Sequence, residues 1–156
     1  MRIAIGADHR GYKMKQALVE YLRSKGHRVL DLGTHTPDPC DYPRYGWEVA
    51  RSVARGGADR GVLVCHSGIG QSIVANKVRG VRAALVTDAT AARLSREHND
   101  SNVMVLSSLK STSRDAKRIL SVWLKTRASG GRHARRVREI MRLERLELDR
   151  GQGKRE

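Results

Sequence analysis

The chain has 156 residues, a net charge of +15 and few aromatic side chains, with two Trp, four Tyr and no Phe. Its length suits one domain, and a hydrophobic content of 39% excludes wholesale disorder. No apolar run reaches the roughly 18 residues of a membrane span, and Asp8 ends the first apolar run too early for a secretory signal. We therefore expect a cytoplasmic protein with a single domain over residues 1–148 and a flexible tail over 149–156.

Short apolar runs typical of strands alternate with segments of helical periodicity. The predicted strands are residues 2–7, 27–33, 60–65, 81–86 and 102–108. The predicted helices are residues 11–26, 44–57, 71–78, 90–98, 111–126 and 132 to about 148. This alternation, with short connections, predicts an α/β fold: an open five-stranded parallel sheet with helices on both faces, in a Rossmann-like three-layer arrangement.

Ligands of open parallel sheets bind outside the carboxyl ends of the strands. That rule selects the stretches that follow the strands or lie near their ends: GADHRG, CDYPRYG, CHSGIGQS, HND and SSLK. These stretches are also the richest in His, Cys, Asp and Gly. The polar chemistry is therefore predicted to gather at the carboxyl edge of the sheet.

The stretch CHSGIGQS places Cys65 at the end of a strand, before a glycine turn and a helix. Such a turn offers backbone N–H groups and a helix N-terminus to an anion. It lacks the third glycine and the acidic residue of a dinucleotide-binding fingerprint. A thiol beside these donors would have a lowered pKa and could act as base or nucleophile. The alternative is a buried, inert cysteine in a tight turn.

Three further groups of polar residues have both a functional and a structural interpretation. Asp8 and His9 follow the first strand, where the structural alternative is a capping Asp beside a solvated His. The segment 98–100 ends a helix and could simply cap it. Arg132 and Arg136, four residues apart on one helix, would hold a phosphate between them or form a solvated basic face. No metal-binding motif is present, so no metal is expected.

The positive charge is concentrated towards the C terminus, where residues 110–156 carry 15 Lys and Arg against 6 Asp and Glu. A solvated helix face and a site for a small anion account for much of this excess. No basic patch interleaved with aromatic residues is present, so specific nucleic-acid binding is not expected. A non-catalytic module that binds sugar phosphates or nucleic acid remains the alternative to an enzyme.

The last predicted helix carries an apolar stripe that the sheet does not obviously need. The stripe consists of Val137, Ile140 and Met141, with Leu143, Leu146 and Leu148 beyond it. It could pack on its own domain or on a partner subunit.

Five stretches of the chain together resemble one known family. They are GADHRGYKMK, DYP, VCHSGIGQSIVANKVRGVRAAL, LSREHNDSNV and GGRHARRV, and the likeness spans about residues 2–145. The family is ribose-5-phosphate isomerase type B, within the ribose/galactose isomerases. The resemblance implies an enzyme without metal or organic cofactor that interconverts ribose 5-phosphate and ribulose 5-phosphate through a cis-enediolate. A six-carbon sugar phosphate, of allose or galactose, is the alternative substrate.

The resemblance also implies roles for individual residues. Cys65 is the implied base, Ser67 stabilises the enediolate oxygen together with the amides of residues 69–72, and His98 opens the sugar ring. The implied substrate-binding residues are Asp8, His9, Tyr42, Gly68, Ile69, Gly70, Ser72, Asn99, Arg132 and Arg136. Of these, Asp8 and Asn99 orient the sugar hydroxyls, Tyr42 forms a pocket wall, and His9 and the two arginines hold the phosphate. Family members are homodimers or homotetramers with shared sites, so a partner subunit is expected to donate the HND segment and the last helix.

Two positions depart from the family pattern. Leu109 stands where relatives usually carry a phosphate-binding Arg, and the neighbouring Lys110 lacks the fork geometry of a guanidinium group. His66 stands where a Gly is common, and its imidazole could lower the pKa of Cys65 or point away. Both departures bear on which sugar phosphate is preferred.

Overall fold

The computed structural model describes residues 1–152, with side chains as far as Glu147. The strands are β1 (Arg2–Ala7), β2 (Arg28–Asp31), β3 (Arg60–Cys65), β4 (Ala83–Leu85) and β5 (Val103–Ser107). The helices are α1 (Tyr12–Ser24), α2 (Tyr42–Ala54), α3 (Ile69–Ala75), α4 (Ala89–Asn99), α5 (Ser113–Lys125) and α6 (Gly131–Gln152). The strands form one parallel sheet in the order β2-β1-β3-β5-β4, which confirms the predicted fold class.

Each face of the sheet carries its own apolar core, because side chains alternate between faces along a strand. In β1, Ile3 and Ile5 pack under α1, α4 and α5, whereas Ala4 faces the core beneath α2 and α3. Trp123 is the bulkiest side chain of the first core and is fully buried. The three predicted layers are therefore present, and helices cover both faces of the central strands.

Two helices begin two residues earlier than the sequence predicted. α3 begins at Ile69 rather than residue 71, because Gly68 adopts a left-handed conformation (φ 81°) that turns the chain directly from β3 into the helix. α2 begins at Tyr42, inside the segment expected to be a loop, and carries a proline in its first turn. Proline fits there because N–H groups of the first turn have no acceptor within the helix, so its missing N–H breaks no hydrogen bond.

The last helix packs on its own domain through one side. α6 contacts α4, and the Glu144 carboxylate accepts the Gly80 N–H at 3.0 Å. Ile140, Leu143 and Leu146 of the predicted stripe are exposed, so packing of this side on a partner remains a prediction. The helix continues past the predicted boundary at 148 as far as Gln152. The side chains of residues 148–152, and residues 153–156 of the tail predicted over 149–156, lie outside the described residues.

Within residues 1–152, the helices are either too short or too polar to cross a membrane.

Candidate active site

A cavity of about 490 Å³ opens at the carboxyl edge of the sheet, above the ends of β1 and β3. It is lined by Asp8, Tyr42, Cys65, His66, Ser67, Ile69, Gly70 and Ile73. The stretches after β1, β2 and β3 therefore contribute to one pocket, as the rule for parallel sheets predicts.

Cys65 closes the floor of this cavity as the last residue of β3. The side chain is 5% exposed, and its Sγ accepts a hydrogen bond from the Gly68 N–H at 3.1 Å. The thiol therefore lies beneath the first turn of α3, beside a backbone N–H donor, as expected from the glycine turn in the sequence. It is buried, yet it lines the pocket, so it is not sealed inside the core.

The pKa of the Cys65 thiol is raised, and the expected lowering is wrong. Burial is the largest cause, since it penalises the thiolate, and the nearby Asp8 carboxylate adds to it. The N–H groups of Gly68, Gln71 and Ser67 act in the opposite direction without reversing the shift. Sequence reasoning recognised the donors and not the burial, because burial depends on the packing of neighbouring elements.

Asp8 is both a structural and a pocket residue. Its Oδ1 accepts the Gly11 N–H at 2.8 Å, and its own N–H donates to the Val64 carbonyl at 3.3 Å. These bonds fix the turn between β1 and α1 against the end of β3. The carboxylate is 7% exposed and lines the cavity beside Cys65, so the two interpretations of Asp8 are compatible.

His9 faces the loop before α2 instead of the cavity lining. Its Nδ1 accepts a hydrogen bond from the Cys40 backbone N–H at 3.2 Å. An accepting Nδ1 implies that the neutral ring carries its proton on Nε2. The ring is therefore held in one tautomer at the rim of the carboxyl edge.

The wall of the cavity depends on close contact between α2 and α3. A Cβ atom on Gly70 would lie 2.5 Å from Cζ of Tyr42, so only glycine lets the tyrosine ring approach the first turn of α3. The Ile69 N–H donates to the Ser67 hydroxyl at 3.3 Å, and the Ser72 hydroxyl donates to the Ile69 carbonyl at 2.8 Å. Ser67 therefore faces the pocket, whereas the Ser72 hydroxyl is engaged within its own helix.

The loop after β5 is tied to the loop that carries the thiol, a connection that sequence reasoning missed. The Ser107 hydroxyl and the Leu109 N–H both donate to the His66 carbonyl, at 2.7 and 3.0 Å. The His66 side chain is exposed at the cavity, and the Leu109 side chain is 58% exposed. The departure from the family pattern thus places an apolar side chain, followed by the exposed Lys110, beside the pocket.

The HND segment lies at the opposite edge of the sheet, so its expected place among the carboxyl-end stretches is wrong. α4 follows β4 and runs back, which brings its C-terminal end to the level of the strand starts. Arg82, just before β4, donates its Nε to the carbonyls of Asn99 and Asp100 at 3.1 and 3.0 Å. Within one chain, His98 and Asn99 are therefore far along the sheet from the cavity over Cys65.

The N-terminal part of α6 lies against this segment. The rings of His98 and His133 stack with centroids 4.0 Å apart. Arg132 and Arg136 lie on either side of His133 in the sequence, and their positive charges lower the pKa of His133. The predicted site residues thus form two groups on one chain. The carboxyl-edge group is Asp8, His9, Tyr42, Cys65, Ser67, Gly68, Ile69, Gly70 and Ser72. The amino-edge group is His98, Asn99, Arg132 and Arg136.

Asp100 anchors the amino-edge group through a network that no sequence motif revealed. It ends α4 in a left-handed conformation (φ 45°), which Asp tolerates better than most residues. Its carboxylate accepts from Arg96 Nη1 at 2.7 Å and from Arg82 Nη2 at 3.0 Å. Arg96 is 4% exposed, and its Nη1 also donates to the Ser101 carbonyl. The arginines therefore fix the chain direction immediately after His98 and Asn99.

A metal centre is not formed by the part of the chain that the structure describes, since no group of three or more His, Cys, Asp or Glu side chains converges there. Both cysteines are free thiols.

Comparison with known proteins gives a consistent result. A family model described as Ribose/Galactose Isomerase matches residues 3–140. Ribose-5-phosphate isomerase B of Escherichia coli is 42% identical over 143 residues, which cover 92% of this chain and 96% of the relative. A putative sugar phosphate isomerase of Bacillus subtilis is 38% identical over 149 residues, covering 95% and 100% of the two chains.

Solved structures agree with the sequence relatives. Ribose-5-phosphate isomerase B of Clostridium thermocellum superposes with a TM-score of 0.92 at 44% identity, covering 94% of this chain and 99% of that one. The type B enzyme of Trypanosoma brucei superposes with a TM-score of 0.87 at 43% identity, covering 91% and 97%. On the evidence of the matching model, the relatives and the fold, the chain belongs to the ribose/galactose isomerase family.

Proposed function

We propose that the chain interconverts ribose 5-phosphate and ribulose 5-phosphate through a cis-enediolate, with Cys65 as the base. Family membership makes it an aldose–ketose isomerase, and the relatives named above are ribose-5-phosphate isomerases. The observation that carries the assignment of the base is the position of the thiol. It lies on the floor of the cavity, hydrogen-bonded to a backbone amide of the glycine turn.

The proton transfer follows from this geometry. The Cys65 thiolate takes the proton from C2 of the open-chain aldose, and the electron pair forms the C1–C2 double bond while O1 becomes the oxyanion. The Ser67 hydroxyl and the amides of Ile69 and Gly70, residues that line the cavity, are proposed to stabilise that oxyanion. Of the amides first considered, the Ser72 N–H instead donates to the Gly68 carbonyl at 3.1 Å. The proton of the 2-hydroxyl moves to O1, and the thiol returns its proton to C1, which leaves the ketone at C2. No metal or organic cofactor is needed for any of these transfers.

Binding and ring opening require the amino-edge group. His98 is proposed to open the furanose ring as acid and base, since an imidazole can donate and accept near neutral pH. Asp8 and Asn99 orient the sugar hydroxyls and Tyr42 walls the pocket. His9, through its Nε2–H, and the guanidinium groups of Arg132 and Arg136 hold the phosphate.

The separation of the two groups supports a shared site between subunits. Because His98 and Asn99 lie at the amino edge and Cys65 at the carboxyl edge, one chain alone holds two incomplete halves. A homodimer or homotetramer would bring the amino-edge group of one subunit to the cavity of the next. The exposed Ile140, Leu143 and Leu146 of α6 are proposed to contribute to that interface.

The proposed location of the protein is the cytoplasm, a reducing compartment in which free thiols persist.

The test compares the two free cysteines. Replacement Cys65→Ala should lower kcat for ribose 5-phosphate by a hundredfold or more, about the contribution of a general base. The matched control Cys40→Ala, a half-buried thiol at the same edge of the sheet, should keep near-normal turnover. Proton exchange at the carbon next to the carbonyl, followed in deuterated water, measures the base directly. Near-normal exchange in the Cys65→Ala variant would show that another group is the base.

A six-carbon substrate is the second candidate, and the exposed Leu109 beside the pocket is the observation that favours it. An apolar side chain in place of a guanidinium group weakens phosphate recognition at that point and leaves room at the rim. Values of kcat/KM for ribose 5-phosphate, allose 6-phosphate and galactose 6-phosphate decide between the two. A higher value for either hexose phosphate would replace the first assignment.

A further inference from the structure

We infer that His133 is a positioning residue, which holds the imidazole of His98 in the orientation that opens the sugar ring. The inference rests on the proposed function, which assigns ring opening to His98. His133 itself has no place in the proton transfers or in the phosphate contacts proposed above.

The two imidazole rings lie face to face. Their centroids are 4.0 Å apart and their planes differ by 1°. His98 belongs to the last turn of α4 and His133 to the first turn of α6, so the contact depends on the packing of these two helices. The Nδ1 atom of His133 is buried and has no hydrogen-bond partner among the residues that the structure describes. The ring of His133 is therefore placed by packing against His98 and not by a hydrogen bond of its own.

Stacking suits an imidazole that must donate and accept protons. Both ring nitrogens present their proton or lone pair in the plane of the ring, so rotation about the side-chain bond moves both away from a substrate. A flat partner against one face opposes that rotation and leaves the edges free. Since proton transfer depends on heavy-atom distances near 3 Å, a small loss of orientation is expected to be costly.

The charge of His133 is also suited to this role. Burial lowers its pKa most, and His98, Arg132 and Arg136 lower it further, against an opposite effect of Glu97. The lowered pKa favours the neutral form of His133 near pH 7, since its ordinary value is already below that pH. A neutral partner does not repel His98 when His98 carries the proton that ring opening requires.

Two substrates separate ring opening from the later proton transfer. Ribose 5-phosphate closes into a furanose ring through its 4-hydroxyl and must be opened. Ribulose 5-phosphate cannot close such a ring, because its C5 oxygen is esterified. Exchange of the C1 protons of ribulose 5-phosphate with deuterated water therefore needs the base and not the ring-opening group.

The experiment compares His133→Ala with His133→Phe in both assays. The alanine variant should lower kcat for ribose 5-phosphate by about tenfold to a hundredfold, the scale expected for a displaced catalytic group. Its KM and its C1 exchange with ribulose 5-phosphate should change little. The phenylalanine variant keeps a flat ring without nitrogen and should stay within about threefold of the wild-type kcat if stacking is what matters. His27→Phe, immediately before β2, is the control and should match the wild type.

Three results would overturn the inference. Equal loss of turnover and exchange in His133→Ala would assign the residue to folding or assembly. A phenylalanine variant as slow as the alanine variant would show that a ring nitrogen acts, and not the stacked face. Unchanged turnover in His133→Ala would show that the contact is dispensable.

Failure of the proposed function gives a different pattern. A wild-type protein that neither isomerises ribose 5-phosphate nor exchanges ribulose 5-phosphate would remove the proposed function, and the ring-opening role with it. The contact between the rings is then tested by NMR titration of His133 in the wild type and in His98→Asn. Loss of the His98 charge should raise the pKa of His133, with Arg132, Arg136 and Glu97 unchanged around it. An unaltered titration would show that the rings do not interact.

Discussion

The two edges of the sheet differ in their chemical groups: backbone amides dominate at the carboxyl edge and charged side chains at the amino edge. At the carboxyl edge, backbone amides of a glycine turn surround a thiol, and close helix contacts at Gly70 shape the cavity. At the amino edge, Asp100 forms ion pairs with two arginines close to a histidine stack, and α6 carries further arginines. Neutral donors therefore surround the proposed base, and positive side chains gather at the edge that carries the arginines proposed to hold the phosphate.

The comparison shows that residues assigned to one pocket by a family resemblance need not lie close together within one chain. Residues that the resemblance assigns to a single pocket are separated by the length of the strands. Symmetric pairing of chains is the simple way to unite them, since a twofold axis completes two sites at once. The predictions below test this division, from the largest expected effect to the smallest.

The largest effect is expected from mixing two inactive variants. Cys65→Ala damages the carboxyl-edge group and His98→Asn the amino-edge group. If sites are shared, co-refolding equal amounts should restore about a quarter of the wild-type rate, because half of the dimers are mixed and each mixed dimer has one intact site. The isomerase rate of the mixture is the measurement.

A matched pair of variants controls this experiment. Cys65→Ala mixed with Ser67→Ala places both changes in the same group, so no active site can be rebuilt. Absence of recovery in the first mixture would show that each site lies within one chain. Recovery in the second mixture would show that Cys65 and Ser67 of one chain do not serve the same site.

Loss of the carboxylate at the amino edge should destabilise the fold. Asp100→Asn keeps a side chain that tolerates the left-handed backbone but leaves the buried Arg96 without its charged partner. We expect the free energy of unfolding to fall by about 1–3 kcal/mol, measured by urea denaturation. Asp38→Asn, in the exposed loop before α2, is the control and should leave it unchanged. Equal stability of the two variants would mean that the arginine network contributes little.

The carboxyl edge contains a buried amide whose replacement should stabilise the protein. Both polar side-chain atoms of Gln71 are buried without a hydrogen-bond partner among the described residues. Gln71→Met has a similar length and no such groups, so the free energy of unfolding should rise by about 1 kcal/mol. Gln16→Met removes an amide that donates to the Tyr12 hydroxyl and should bring no gain. Destabilisation by Gln71→Met would show that the amide has an unseen partner.

The smallest effect concerns the pH profile. Because the pKa of Cys65 is raised, the thiolate is scarce at neutral pH, and kcat/KM should climb as the pH rises towards that pKa. Asp8→Asn removes a negative charge that contributes to the rise while keeping an acceptor for the Gly11 N–H. The ascending limb of the variant should therefore move to lower pH. If the ascending limb stays at the same pH in the variant, the limb does not report the titration of the Cys65 thiol.

The order of strands and helices was readable from the sequence, because apolar periodicity and turn residues act over short distances. β1 and β3 begin and end as predicted, and α5 begins within two residues of its predicted start, at a capping box between Thr112 and Asp115. The start of α3 was missed, since the conformation of Gly68 depends on the chain that surrounds it. The carboxyl-edge cavity was also predictable, because parallel strands bring their carboxyl ends together.

The sequence by itself determined the α/β fold, the strand that ends at Cys65, and the family to which the chain belongs. Tertiary structure alone decided the raised pKa of the thiol and the place of the HND segment. Both depend on contacts between residues far apart in the chain: burial is set by which elements cover a side chain, and the edge that a helix end reaches is set by the direction in which the helix crosses the sheet.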